Sequence, residues 1–581
     1  MTTAPTLHRA SAAAAGPGAA VTSAGTAPGD VAAPGTPRDV PVLAVRDLAV
    51  TYRSGRTSTA AVRGVSFDVR PGEVVAVVGE SGSGKTTTAQ AVIGLLGAGA
   101  HVDAGSIAVG GADVSGWTPR QLRAVRGARI GLVPQDPHNS LNPVRTIGDN
   151  LAEVLRIHRA GPRAAVRARV VELLARVGIP EPERRARQYP HELSGGMKQR
   201  VLIAGAIALG PDLVIADEPT SALDVTVQRR ILDLLDDLRA ELGSAVLLVT
   251  HDLAVAAERA DRILVMKDGR IVEEGATEAL LAAPAHPYTR TLLADAPSLT
   301  EPAPRATARL VETARETDRA IEVRGLVQEF GHGRGPRFRA VDDVSFSVVR
   351  GTTHALVGES GSGKTTTARA VVGLRRPTAG SVVVEGAEVT GLRGEALRRF
   401  RRGTQLVYQN PFSSLDPRQS VTEIVAEPLR NHGRTDRRDR RRRAAEALEQ
   451  VALPATLAAR RPAELSGGQR QRVAIARALV LEPAVLVLDE AVSALDVTVQ
   501  AQILDLLDRL QQDLGLTYLF ISHDLAVVRQ IADTVSVMRD GRVVEHGRAA
   551  DVLDHPAHDY TAALVEAIPH RAAAPTNGET R

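Results

Sequence analysis

The sequence predicts a mixed α/β protein made of two copies of one domain. Two observations carry this. First, four stretches recur: GESGSGKTTTA at 79–89 and 358–368, LSGG at 193–196 and 465–468, SALDVTVQ at 221–228 and 493–500, and HDLAV at 251–255 and 523–527. The last three recur at one interval of 272 residues (465 − 193, 493 − 221, 523 − 251), which means a duplicated unit. Second, each copy alternates short apolar runs with helical patterns, the arrangement of an α/β domain.

The elements follow in order. Residues 74–78, 213–216 and 246–249 are apolar, partly β-branched runs of strand length, as expected of strands buried on both faces. Residues 227–242 place Ile231, Leu234, Leu235, Leu238 and Leu242 at helical spacing and stop at Gly243. In the second copy, 434–443 is a dense basic run, which reads as a solvated helix face or loop because like charges stay exposed. The first domain is expected over 41–295 and the second over 320–568. Between them, 296–319 reads as a linker, rich in Pro, Ala, Thr and charge. Residues 1–40 and 569–581 read as disordered tails.

Composition narrows the function. The chain's 581 residues suffice for several domains with real cores, and 44% apolar and 24% charged residues are ordinary for a globular protein. A net charge of +4 is weak support for an anionic partner. With 2% aromatics, stacking on single-stranded nucleic acid is disfavoured. There is no cysteine, so disulfides, thiolate zinc sites and iron–sulfur clusters are excluded, and a cytoplasmic setting is suited. The longest uncharged stretch, 11–29, is Ala, Gly, Pro, Ser and Thr, too weakly apolar for a membrane span and without the core of a signal peptide. Any role in transport therefore requires docking on a partner that spans.

The chemistry lies in the repeated motifs. Gly79-Glu80-Ser81-Gly82-Ser83-Gly84-Lys85-Thr86-Thr87 and Gly358-Glu359-Ser360-Gly361-Ser362-Gly363-Lys364-Thr365-Thr366 fit a phosphate-binding loop. Glycines let the backbone curl so that its N–H groups face phosphate oxygens, and the helix that follows adds its positive end. Lys85 and Lys364 would neutralise β- and γ-phosphates, and the hydroxyls of Thr86 and Thr365 would hold Mg2+. Two apolar runs end in paired acids, Asp217-Glu218 and Asp489-Glu490. The first acid of each pair suits Mg2+; the second could orient and deprotonate the attacking water. His251 and His523 follow the next strand, where a neutral imidazole could hydrogen-bond the γ-phosphate. Tyr52 and Phe330 precede the loops and could stack on adenine, Phe330 being equally readable as a core residue. Gln135 and Gln409 end apolar runs and mean little alone.

Phosphate loop, glutamine, LSGGMKQR or LSGGQRQR, acid pair, SALD and histidine, in this order, resemble the nucleotide-binding domains of the ABC (ATP-binding cassette) superfamily. The resemblance covers nearly all of the chain except tails and linker. It implies two P-loop NTPase cassettes, each a RecA-like mixed-sheet core with an antiparallel β subdomain and a helical signature subdomain. It implies an intramolecular head-to-tail pair in which each ATP and Mg2+ lie between one cassette's loop and the other's signature. Lys85, Thr86, Gln135, Asp217, Glu218 and His251 would then share a nucleotide with Ser466, Gly467 and Gly468. Lys364, Thr365, Gln409, Asp489, Glu490 and His523 would share the other with Ser194, Gly195 and Gly196. Gln135 and Gln409 would join the Mg2+ ligands, and Asp224 and Asp496 would sit at the seam. Met197-Lys198 in the first signature faces Gln469-Arg470 in the second, and Pro219-Thr220 after the first acid pair faces Ala491-Val492. Neither departure removes a catalytic group, so both sites are expected to hydrolyse ATP.

HPYT at 286–289 and HDYT at 558–561, with QDPHNSLNP at 135–143 and QNPFSSLDP at 409–417, are similar to the ATPase subunits of dipeptide and oligopeptide importers, here fused. That implies two integral-membrane permease subunits, an extracytoplasmic substrate-binding protein, no nucleic acid, and a peripheral place on the cytoplasmic face of the plasma membrane. A tandem-cassette ATPase acting on the ribosome is the alternative, but such proteins carry a long charged helical linker between cassettes.

Overall fold

A computed structural model describes residues 40–569 apart from 56, 138, 222, 300–304, 306, 314, 332–336, 434, 435 and 494. The expected tails lie outside the described residues except at 40 and 569.

Each cassette holds two sheets. In the first, Leu43–Ser54 pairs antiparallel with both Thr57–Val69 and Ala100–Val109, and the short Ala112–Asp113 completes a four-stranded sheet. The six-stranded sheet runs in the order Arg270–Ala276, Arg262–Lys267, Val74–Val78, Ala245–Val249, Leu213–Asp217 and Ile130–Val133. Its neighbours are parallel except the edge strand Arg270–Ala276. The three central strands are buried at every position, which is why their sequences are continuous apolar runs instead of alternating ones. The helices Ile147–Ile157, Arg163–Arg176 and Gly195–Ile207 form a helical layer whose Leu151, Leu155, Leu173, Leu174 and Ile203 join the core of the sheet.

The second cassette repeats this plan. Its four-stranded sheet is built around Arg319–Phe330, and its six-stranded sheet has Thr353–Val357 between Thr517–Ile521 and Thr534–Arg539. The mixed α/β expectation is met in both halves.

Local expectations hold with small shifts. The helix read at 227–242 is Val225–Leu242, capped by the Asp224 side chain and ended by Gly243 at φ 67°. The basic run lies mostly in the helix Arg437–Gln450, capped by Asp436, which buries only Ala444, Ala447 and Leu448. The linker is more structured than its composition suggests. Ala296 is buried, Leu299 packs on the first core, Ala308–Thr313 is helical, and the second cassette's first strand already begins at Arg319.

The two cassettes brace each other reciprocally. The helix Pro287–Asp295 packs on Val497–Leu514 of the second cassette, and Asp559–Glu566 packs on Val225–Leu242 of the first.

Candidate functional site

The strand Val74–Val78 runs into the glycine loop, and the helix Lys85–Val92 starts directly after it. Gly84 and Gly363 cap these helices at φ 102° and 104°, a conformation that side chains avoid. A Cβ on either would come within 2.5 Å of a carbonyl oxygen, that of Ala61 or Ala340. These glycines are therefore required by a close backbone approach. Lys85 Nζ donates to the carbonyls of Gly79 (2.7 Å) and Glu80 (2.9 Å), and Lys364 Nζ to those of Gly358 (2.7 Å) and Glu359 (2.8 Å). Burial pulls both ammonium groups below their usual range, opposed by Glu218 and Asp496 at Lys85 and by Glu490 and Asp224 at Lys364. Asp496 and Asp224 each belong to the opposite cassette, so the SALD acids do reach the seam, as expected.

Thr86 Oγ1 donates to Asp217 Oδ1 at 3.0 Å, and Thr365 Oγ1 to Asp489 Oδ1 at 2.9 Å. Burial pushes the Asp217 carboxyl up to about 6 and raises Asp489 as well. A buried carboxylate beside a threonine hydroxyl is a pair of hard oxygen donors. That donor set fits Mg2+ arriving with substrate phosphates.

The acid that follows is held in an unusual backbone. Glu218 and Glu490 have φ 45° and 49°, left-handed for a side-chain-bearing residue. Their N–H groups donate to the Val249 and Ile521 carbonyls of the adjacent strand, at 2.8 and 3.0 Å, which helps hold the strained turn. Around each carboxylate the candidate residues converge. Gln135 Nε2 donates to Glu218 Oε2 at 2.7 Å, and His251 Nδ1 lies 3.3 Å from the same oxygen. The second cassette repeats this with Gln409 at 2.7 Å and His523 at 3.4 Å from Glu490. Burial alone would lift Glu218 and Glu490. The histidine, lysine and glutamine together outweigh it and hold both carboxyls below the usual range. Burial likewise opposes charge on His251 and His523, but their glutamates raise them overall. The paired carboxylate shifts each imidazole toward its charged form, against the pull of burial.

Tyr52 Oη lies 3.5 Å from Thr87 Oγ1, beside the loop. Phe330 is exposed at a strand end, with the Arg375 guanidinium 4.6 Å from its ring centroid, so it is no core residue.

Ser194 and Ser466 cap the helices Gly195–Ile207 and Gly467–Leu479, accepting from the N–H groups of Met197 and Gln469. The second cap is reciprocal, since Gln469 Oε1 accepts from Ser466 N at 3.0 Å, which Met197 cannot copy. A glycine-rich helix start beneath a serine is a ready anion site. Among the described residues, no hydrogen bond joins Ser194, Gly195 or Gly196 to the loop of the second cassette, or Ser466, Gly467 or Gly468 to that of the first. The seam is instead crossed by the SALD segments, where Thr226 Oγ1 donates to Glu359 Oε1 at 2.6 Å.

Two residues at the loop escaped the sequence reading. Tyr288 and Tyr560, seen only as part of a subfamily motif, place their hydroxyls on the phosphate loops. Their recurrence at the 272-residue interval was the available signal.

The description "ABC transporter" fits residues 62–221 and 341–493, and "Oligopeptide/dipeptide transporter, C-terminal region" fits 272–321 and 544–580. The chain is 47% identical to the peptidoglycan transport ATP-binding protein YejF of Agrobacterium fabrum, over 91% of this chain and 96% of that one. It is 43% identical to the oligopeptide transport ATP-binding protein OppD of Mycobacterium bovis, over 91% and 98%. It is also 43% identical to the glutathione import ATP-binding protein GsiA of Escherichia coli, over 91% and 89%.

Proposed function

Because the chain belongs to the ABC transporter family of ATPases, with the C-terminal region of its oligopeptide/dipeptide branch in both halves, we propose that it energises the import of peptides or a related small solute. Its partners in this reading are two integral-membrane permease subunits and an extracytoplasmic binding protein, which place it peripherally on the cytoplasmic face of the membrane. Among the described residues no helix is long and apolar enough to cross a membrane, so the channel would come from the permeases. The observation that carries the catalytic part is the pair of matching Gln–Glu–His clusters, each beside a Thr–Asp pair and a phosphate loop.

In this reading Lys85 and Lys364 leave the loop carbonyls for β- and γ-phosphate oxygens. Thr86 with Asp217, and Thr365 with Asp489, would hold Mg2+, with Gln135 and Gln409 as further oxygen donors. Bound there, Mg2+ would supply positive charge against that developing on the phosphates. Glu218 and Glu490, ionised under their neighbours' influence, accept the proton of the attacking water, while His251 and His523 hold the carboxylates in place. Ser194 and Ser466, with the glycines that follow, contact the γ-phosphate of the opposite cassette's nucleotide and couple its presence to closure.

Both sites are read as active. Glu218→Gln and Glu490→Gln should each remove a comparable share of turnover, and the double variant should remove nearly all of it. A large difference between the single variants would sink the equivalence of the sites. Copurification from membranes with two polytopic proteins supports the transport role; recovery on ribosomes overturns it.

A further inference from the structure

Each HPYT-type segment is built around one reach. In the first cassette Glu273 accepts from the N–H groups of Ala285 (2.7 Å) and His286 (3.0 Å), which fixes the entry to the helix Pro287–Asp295. His286 Nδ1 then caps that helix by accepting from Tyr288 N at 3.1 Å. The second cassette copies this with Glu545, Ala557 and His558, and His558 Nδ1 accepts from Tyr560 N at 3.0 Å. Asp559 stands where the first has Pro287; both suit a first helical turn, one by its fixed φ and one by its charge. The glutamate, the histidine and the residue after it are thus accounted for by local structure.

The tyrosine is not. Tyr288 and Tyr560 are buried. Tyr288 Oη accepts from Glu80 N at 3.0 Å, and Tyr560 Oη from Glu359 N at 3.1 Å. Glu80 and Glu359 are the second residues of the phosphate loops, whose curl aims the later N–H groups inward. Lys267 and Arg539 lie over the two rings, 4.5 and 4.9 Å from their centroids, and hold them from the other side. The same helices pack on the long helices of the opposite cassette that begin just after Asp496 and Asp224. The Glu359 carboxylate also receives Thr226 Oγ1 from across the seam. One short segment therefore touches its own phosphate loop and the partner cassette at once.

We propose that Tyr288 and Tyr560 are positioning residues for ATP binding, each fixing the curl of its own phosphate loop through the loop's second N–H and tying that loop to the helix that carries the opposite cassette's seam acid. The proposal rests on the phosphate loops binding ATP, as argued above. It adds a role to a segment that otherwise only marks a subfamily.

Tyr288→Phe and Tyr560→Phe keep the ring and its packing and remove only the hydroxyl. Binding of a fluorescent ATP analogue and steady-state hydrolysis are measured on the full chain, with Glu490→Gln or Glu218→Gln added so that hydrolysis reports one site. The loss of one hydrogen bond should raise Kd and KM at the matching site about fivefold. Turnover at saturating ATP and the melting temperature without nucleotide should change little. A purely structural tyrosine would lower the melting temperature and leave Kd unchanged, and that result overturns the proposal. So does an unchanged Kd together with an unchanged melting temperature. If the unmodified chain neither binds nor hydrolyses ATP, the failure lies with the ATPase reading and not with the tyrosines.

Discussion

Replacing Arg305 by alanine should unfold the second cassette early while sparing the first. Arg305 lies in the stretch read from composition as a linker, and its side chain is only 11% exposed and meets Asp533, 1% exposed, at 3.2 Å. It also donates to Gln511 Oε1 at 2.7 Å and to the Gln530 carbonyl at 3.3 Å. Asp533 in turn accepts from Thr353 N at 2.8 Å, at the start of the strand that feeds the second phosphate loop. Removing one partner of a buried ion pair costs about 3–5 kcal/mol because the other charge stays buried. Asp533 keeps Thr353 N–H and the Thr307 hydroxyl (2.6 Å), so the cost falls somewhat below that range, at roughly 2–3 kcal/mol. For a domain of this size that is a fall in Tm of about 5–10 °C. The first cassette needs no such visitor. Position 239, which lies 272 residues before Gln511, is an arginine that donates to the Gly72 carbonyl within its own cassette at 2.8 Å. Differential scanning calorimetry of the full chain should therefore show one transition moving and one standing still. A shift under about 1 °C, or an equal shift of both, would refute the reasoning. Arg305→Lys should fall between, since it keeps the charge and loses the fork.

Two further outcomes follow from single residues. His354 is fully buried, bonded to Thr534 (2.7 Å) and Ser536 (3.0 Å) and stacked on Phe346, and burial, with the charge of His546, pulls it down to about 3. The unfolded chain takes up a proton there below about 6.5 and the folded one does not, so stability falls as pH drops through that window, by about 2 kcal/mol at pH 5. Denaturant titrations should show the second cassette losing that stability and His354→Val, the residue type at Val75 in the first copy, losing less; equal pH slopes would refute this. Gly196 packs so closely on the long helix that a Cβ would approach Val227 Cγ1 to 2.5 Å. Gly196→Ala should cost about 1–3 kcal/mol and shift the start of the helix that carries Asp224 and Thr226, with Val227→Ala restoring part of both stability and ATPase activity. Unchanged melting and turnover in Gly196→Ala would show that the contact yields freely.

Most of the fold was legible because its period is legible. Three central strands are buried on both faces, so they are uninterrupted apolar runs, and the long helix Val225–Leu242 ends at glycine. The linker's contacts were not legible because composition reports what a segment lacks and not where one residue goes. Arg305 looks like any charged linker residue until Gln511 and Asp533 surround it. What favours charge on His251 was not legible for a similar reason. It depends on the Glu218 carboxylate 3.3 Å away, 33 residues apart in sequence (251 − 218).

By itself the sequence determined the duplicated α/β plan, the phosphate loops, the acid pairs and the family to which they belong. Those follow from residue type at fixed spacing along one chain, which local backbone geometry translates directly. Only the tertiary structure decided the left-handed backbone at Glu218 and Glu490, the pairing of each glutamate with a glutamine and a histidine, the reach of Asp496 and Asp224 toward the opposite lysines, and the seat of each tyrosine on its loop. Each of these joins groups distant in sequence or lying on opposite cassettes. Their distances come from how sheets and helices pack, which no local pattern encodes.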